Sequence, residues 1–198
     1  MGMNRCLWCI EDPFYMEYHD KQWGVPVTDD QGLFEMIVLE GAQAGLSWLT
    51  VLKKRDNYRK AFEDFDIEKV ALFNRDDVIR LCGDTGIIRN RVKIDSAVRN
   101  ARAVLDIWEK GKTFAEFLWR FVDFEPIENN WTVEDMIPVK TPESEAMSIA
   151  LKEQGFFFVG PTICYAFMQS VGMVNDHVIG CFRHGEINSI AENFNFSE

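Results

Sequence analysis

The chain has 198 residues, a net charge of −11, 47% hydrophobic and 27% charged residues. That is the make-up of a globular domain with a sizeable core. The charge argues against a general polyelectrolyte binder, and no uninterrupted apolar run approaches the roughly 18 residues of a membrane span.

The pattern along the chain is almost wholly helical. Asp12-Pro13 opens a short helix to Gln22, which Trp23-Gly24-Val25-Pro26 ends. Asp29 and Asp30 can cap the next helix, Asp29 to Ser47. At 100° per residue its Leu33, Met36, Ile37 and Ala44 share one face, with Glu40 in the middle and Glu35 pointing the opposite way, towards water. A carboxylate centred on an apolar face is costly to bury unpaired, so Glu40 is either a structural ion-pair member or part of a site. The small residues Gly41, Ala42, Ala44 and Gly45, followed by Leu46, Ser47 and Trp48, favour a site. They make a narrow opening with an aromatic wall, suited to a flat, hydrogen-bonding ligand, a cation included.

Trp48 to Phe62 keeps a rough helical period, and short helices follow over Asp66–Phe73 and Asp76–Cys82, then a turn at Asp84-Thr85-Gly86. Asn90 to Lys110 is a long amphipathic helix stopped by Gly111, and Thr113 caps Phe114 to Val122. Phe124 to Pro142 is the main irregular connection. Pro142 to Gln154 is helix, Phe156 to Val159 a turn or a four-residue strand, and Gly160-Pro161-Thr162 opens a helix to Val171. Asn175 to Phe182 closes the ordered chain as one globular domain over residues 1–184, and the polar segment 185–198 is expected to fray.

Three features carry chemistry. His177 and Cys181, four apart, would share a helix face, and Cys6, Cys9 and His19 lie near the other end of the chain. With His184 they make six candidates for the four places of one structural zinc ion, preferably a pair from each end. The turn from Gly155 to Thr162 could present backbone N–H groups to a phosphate. Trp8, Tyr15, Tyr18, Trp23 and Trp48 crowd the first quarter of the chain, near Glu40. The two basic stretches, Lys53–Lys60 and Arg89–Arg102, read singly as solvated helix faces. Scattered cysteines and an N-terminus without the apolar core of an export signal point to a reducing, cytoplasmic setting.

Together Cys6-x-Trp8, Asp12-Pro13, Tyr15, Tyr18-His19-Asp20, Trp23-Gly24-Val25-Pro26, Leu33-Phe34-Glu35, Leu39-Glu40-Gly41, Gln43-Ala44-Gly45-Leu46-Ser47-Trp48 and Asn175-Asp176-His177-Val178 resemble the bacterial 3-methyladenine DNA glycosylase I family. The likeness runs from about Arg5 to Cys181 and includes Gly86–Arg89 and Phe158-Val159-Gly160. It implies an all-α helix-hairpin-helix glycosylase fold, two helical lobes around a base pocket, with a zinc staple joining the terminal regions. It implies zinc on Cys6, His19, His177 and Cys181. Glu40 is the implied catalytic residue, recognising the flipped base with Tyr18, while Trp48, Trp8, Tyr15 and Trp23 line the pocket. Gly45 and Leu46 would meet the gap left by the extruded nucleotide, and Gly155, Gly160 and Thr162 the DNA backbone. The implied partners are double-stranded alkylated DNA and free 3-methyladenine as product, with the protein a monomer. Two departures from the wider superfamily stand out. Asn175 occupies the place of its catalytic Asp in Val174-Asn175-Asp176-His177, and Thr162 stands where lyase members have Lys. A monofunctional hydrolase is expected, with a non-catalytic, zinc-stapled DNA-binding protein as the rival of another class and a zinc hydrolase as a third.

Overall fold

The computed structural model describes residues 4–196, so the outermost residues of the expected domain and tail lie outside it. It is mostly helical. Among the described residues eleven α-helices are joined by short turns: α1 Pro13–Lys21, α2 Asp30–Gln43, α3 Trp48–Leu52, α4 Arg55–Ala61, α5 Ile67–Ala71, α6 Arg75–Gly83, α7 Arg91–Glu109, α8 Phe114–Trp119, α9 Pro142–Glu153, α10 Pro161–Ser170 and α11 Phe182–Glu192. The irregular connection before α9 contributes β1, Ile127–Glu128, paired in parallel with β2, Val174–Asn175.

Helix α2 is the axis of the molecule. Asp29 caps it by accepting from Gly32 N at 2.7 Å. Asp30 turns outward and accepts from Phe114 N, Ala115 N and Trp108 Nε1, tying the start of α8 and the end of α7 to α2. Every residue from Leu33 to Ala42 is buried, because α3, α7, α8 and α10 all pack against it. An amphipathic reading of this segment is therefore too narrow: it is covered all round.

Several boundaries differ from the sequence reading, each for a local reason. Helix α2 stops at Gln43, since Ala44 leaves helical geometry, Gly45 adopts φ +82° and Ser47 caps α3 through Thr50 N. The helix expected from Trp48 to Phe62 bends at Lys53–Lys54, where Lys54 Nζ donates to the Thr85 and Gly86 carbonyls. Phe156–Val159 is a turn, with Phe158 at φ +56°. Residues 176–181 form a loop, so His177 and Cys181 are not on a helix. Within the described residues the polar segment after His184 is ordered against the core: α11 runs to Glu192 on a buried Ile187, and Phe194 stacks on Trp119 at 4.8 Å, while residues 197–198 lie outside the description. Polar composition concealed that helix because few of its residues face inward.

Candidate functional site

The far end of α2 opens onto a cavity of about 210 Å³. Trp8, Tyr15, Tyr18, Trp23 and Trp48 surround Glu40 there. The rings support one another: Trp8 meets Tyr15 at 4.6 Å and Trp23 at 5.0 Å, and Tyr18 meets Trp48 at 5.8 Å. Glu40 and the five aromatic residues singled out near it thus come to one place. Gln43, Ile137, Ala166 and Gln169 complete the lining and were missed. Gln43 lies three residues beyond Glu40 on the same helix, a signal available in the sequence, whereas Ile137 comes from the irregular connection and has none.

Glu40 is only 3% exposed. Its Oε2 and the Tyr18 hydroxyl are buried with no hydrogen-bond partner among the described residues. Such orphans are rare in native proteins and point to a partner supplied from outside. Burial pushes the Glu40 carboxyl up to about 8, against a smaller opposing effect of the Ser170 hydroxyl. Burial, then the nearby Glu40, raises Tyr15 to about 12 and moves Tyr18 well above its ordinary value. The cavity is therefore a low-dielectric, aromatic box whose one carboxyl is poised to gain or lose charge.

Glu35 does not sit in water, as its place on the helix suggested. It is buried and accepts from Arg55 Nε at 2.6 Å and Arg59 Nε at 2.9 Å. The structural ion pair of α2 is there, one and a half turns from Glu40, and among the described residues no cation pairs with Glu40.

Behind the aromatic wall, Cys6, His19, His177 and Cys181 converge, all buried, with their donor atoms within 4.8 Å of one another. Cys181 Sγ lies 3.5 Å from His19 Nε2 and 3.6 Å from His177 Nδ1, and Cys6 Sγ lies 3.7 Å from His177 Nδ1. Sulfur and nitrogen ligands around a common tetrahedral centre lie roughly 3.5 Å apart. The outer ring nitrogens are occupied: His19 Nδ1 bonds Asp20 at 2.8 Å and His177 Nε2 bonds the Trp23 carbonyl at 3.1 Å. Those bonds turn the lone pairs of Nε2 and Nδ1 inward, as outer-sphere partners of a metal site do. The contact between the two thiols pushes the Cys6 thiol up and the Cys181 thiol down. The other two candidates stay outside: Cys9 Sγ donates to the Cys6 carbonyl and His184 Nε2 bonds the Asn129 carbonyl. The group touches the cavity wall directly, with Trp23 against His177 at 4.6 Å and Trp8 against His19 at 5.3 Å.

Asn175 is fully engaged: its amide donates to His184 O and Asn188 Oδ1 and accepts from His177 N. Asp176 is 1% exposed and accepts from Asn129, Trp131, Tyr165 and Gln169 side chains. Asn175 holds the loop of His177 to α11, and Asp176 joins α10 to the β1–α9 connection.

Gly45 and Leu46 form the loop between α2 and α3, with Leu46 43% exposed, unusual for a leucine. Gly155 at φ +90° stops α9, and Gly160 caps α10, where Thr162 is exposed. A Cβ added at either glycine would meet open space. The turn between them lies on α2: a Cβ at Gly41 would come within 3.1 Å of Phe158 Cβ. The basic stretches are largely turned to structural use, since Arg55 and Arg59 hold Glu35 and Arg102 donates to the Ala71 and Phe73 carbonyls.

The methyladenine glycosylase family model matches residues 8–184. DNA-3-methyladenine glycosylase 1 of Escherichia coli (strain K12) is 55% identical over 179 residues, 90% of this chain and 96% of that protein. A crystal structure of 3-methyladenine DNA glycosylase I superposes with a TM-score of 0.89 at 55% identity, covering 90% of this chain and 98% of that one. The Staphylococcus aureus 3-methyladenine DNA glycosylase I, solved for the basis of its 3-methyladenine recognition, gives 0.88 at 35% identity over 92% of this chain and 97% of its own.

Proposed function

The chain belongs to the methyladenine glycosylase family, and from that premise we propose that it is a DNA repair glycosylase. It hydrolyses the N-glycosidic bond of 3-methyladenine in alkylated duplex DNA after the base has been flipped out of the stack. The observation that carries this reading is the pair of orphaned polar atoms, Glu40 Oε2 and the Tyr18 hydroxyl, inside an aromatic cavity.

The chemistry follows from the box. On its sugar, a 3-methylated adenine is a cation, so the glycosidic electron pair can depart with the base, which leaves neutral. Water adds to the sugar carbon and its proton passes to solvent. The protein has to admit that cation and reject neutral adenine. The faces of Trp8, Tyr15, Trp23 and Trp48 attract positive charge. Burial, which outweighs the Ser170 hydroxyl, favours the neutral form of the Glu40 carboxyl. A cationic base reverses that balance, and the carboxylate it draws out can accept from the exocyclic amine. Neutral adenine offers no such return for burying a charge.

In this reading α9, the Gly155–Gly160 turn and α10 are the hairpin motif that holds the DNA backbone, with helical lobes on either side of the cavity and Leu46 as the wedge in the vacated stack. Thr162 supplies no amine, so no lyase step follows. Cys6, His19, His177 and Cys181 suit one structural zinc ion, which would staple the two ends of the chain behind Trp8 and Trp23. The protein acts as a cytoplasmic monomer. A DNA-binding protein without catalysis would have no use for a buried, unpaired carboxyl among rings. A zinc hydrolase needs an open coordination place, which four protein ligands remove. The test is release of free 3-methyladenine from methylated duplex DNA by the purified protein, followed by chromatography. Release of 3-methyladenine with intact strands is expected, and binding of methylated DNA without release of any base refutes the proposal.

A further inference from the structure

The two loops assigned to DNA above are held by the same helix. Lys93 and Asn100 are seven residues apart on α7, two turns along one face and about 10 Å apart on its axis. Lys93 Nζ donates to the carbonyls of Ala42 at 2.7 Å and Ala44 at 2.6 Å. These belong to the end of α2, where carbonyls lack intrahelical partners and a cation is favoured. Ala44 leads directly into Gly45 and Leu46. Asn100 is 2% exposed, and its amide grips both backbone groups of Phe157: Oδ1 accepts from Phe157 N at 2.8 Å and Nδ2 donates to Phe157 O at 3.1 Å. Phe157 is in the turn between α9 and α10, next to Phe158, which lies against Gly41.

Apolar side chains would serve if α7 only needed to pack here. What stands in their place are polar groups bonded to main-chain atoms of two irregular segments, a way of fixing one conformation of a loop. We infer that Lys93 and Asn100 are positioning residues that set the spacing between the Leu46 loop and the Gly155–Gly160 turn, so that duplex binding depends on them while recognition of the base does not. This rests on the glycosylase reading, which gives both loops to DNA. Burial lowers the Lys93 ammonium from its ordinary value.

The test uses the full chain with Lys93→Met, which keeps the stem and removes the donors, Lys93→Arg, which keeps a donor cation, and Asn100→Asp, which keeps the acceptor and loses the donor. Three quantities are measured: affinity for duplex DNA containing an abasic-site analogue, affinity for free 3-methyladenine, and KM and kcat on methylated duplex. Lys93→Met is expected to weaken duplex binding and raise KM about tenfold, the effect of roughly 1.4 kcal/mol. Free-base affinity and kcat should stay within about twofold, and Lys93→Arg should recover most of the loss. Asn100→Asp should show the same split. Because Lys93 lies at the edge of the core, its variant reads the inference even if Asn100→Asp fails to fold. Parallel loss of base and duplex affinity overturns the inference, as does unchanged duplex affinity with a lower Tm. A wild-type protein that neither binds nor releases 3-methyladenine overturns the functional reading itself; a wild type that does both, beside variants that bind duplex normally, overturns the positioning role alone.

Discussion

Replacing Glu40 by Gln should move stability and base recognition in opposite directions. Burial raises the carboxyl from its ordinary 4.5 to about 8, so the folded protein keeps a proton that the unfolded chain gives up. The stability this group contributes is whole below about pH 4.5 and is lost as pH rises towards 8. At about 1.4 kcal/mol per pH unit of that window, the loss is on the order of 1 kcal/mol at pH 5, 3 at pH 7 and 5 by pH 9. Gln has the same shape and no proton to lose. Glu40→Gln should therefore be more stable than wild type by those amounts, a gain that grows with pH and levels off above about 8. Base affinity should fall, since a hydrogen bond to a charged group contributes roughly 1.5–3 kcal/mol, or about 10- to 150-fold. Chemical denaturation at pH 5, 7 and 9 measures the first effect. Quenching of the cavity tryptophans by free 3-methyladenine measures the second. A Gln variant that is less stable at every pH, with base affinity per folded molecule unchanged, would make Glu40 a structural residue and refute the reasoning.

Leu46→Ala should weaken binding to abasic-site duplex while leaving affinity for free 3-methyladenine nearly intact, because Leu46 is exposed in the loop after α2; equal loss of both would place it in the pocket wall. The intact protein should carry about one zinc per chain, and a strong chelator or Cys181→Ser should lower Tm, since metal binding energy is folding energy. The same treatment should reduce base affinity as well, because Trp8 and Trp23 rest on the two histidines, and an unchanged Tm after metal removal argues against the staple. Borohydride trapping on abasic duplex should give no covalent adduct, given Thr162 at the start of α10, and a stable adduct would contradict the monofunctional assignment.

Helix α2 shows what a sequence reveals and what it withholds. Its cap at Asp29, its apolar rows and the odd carboxyl at Glu40 are local, and each is legible in spacing alone. The fate of Glu35 is not. Spacing places it on the far side of the helix from Glu40, but only the fold says that this side is covered by Arg55 and Arg59 and not by water. The same holds for the basic stretches: Lys54, Lys93 and Arg102 look like solvent charges in the sequence and are spent on carbonyls of distant segments. The net charge of −11 is thus not offset by a simple basic face, and under the proposed function DNA would be met by fewer cations, loop amides and a wedge.

The Cys6, His19, His177 and Cys181 group was legible for a different reason than its helical spacing. His177 and Cys181 sit on a loop, where a four-residue interval carries no meaning of its own. What survives is chemical identity: two thiols and two imidazoles, a pair at each end of the chain, gathered among buried residues. Their geometry couples closure of the termini to the cavity. Arg5 pairs with Asp20 at 2.7 Å, Asp20 orients His19, His19 meets Trp8, and His177 meets Trp23. The wall of the cavity is therefore built on the junction between the terminal segments, while its carboxyl stands on the central helix. A flat base bound between them would touch both, so its binding should tighten the junction as well as the pocket. A rise in Tm with 3-methyladenine in wild type that vanishes once the metal ligands are removed would be the signature of that coupling.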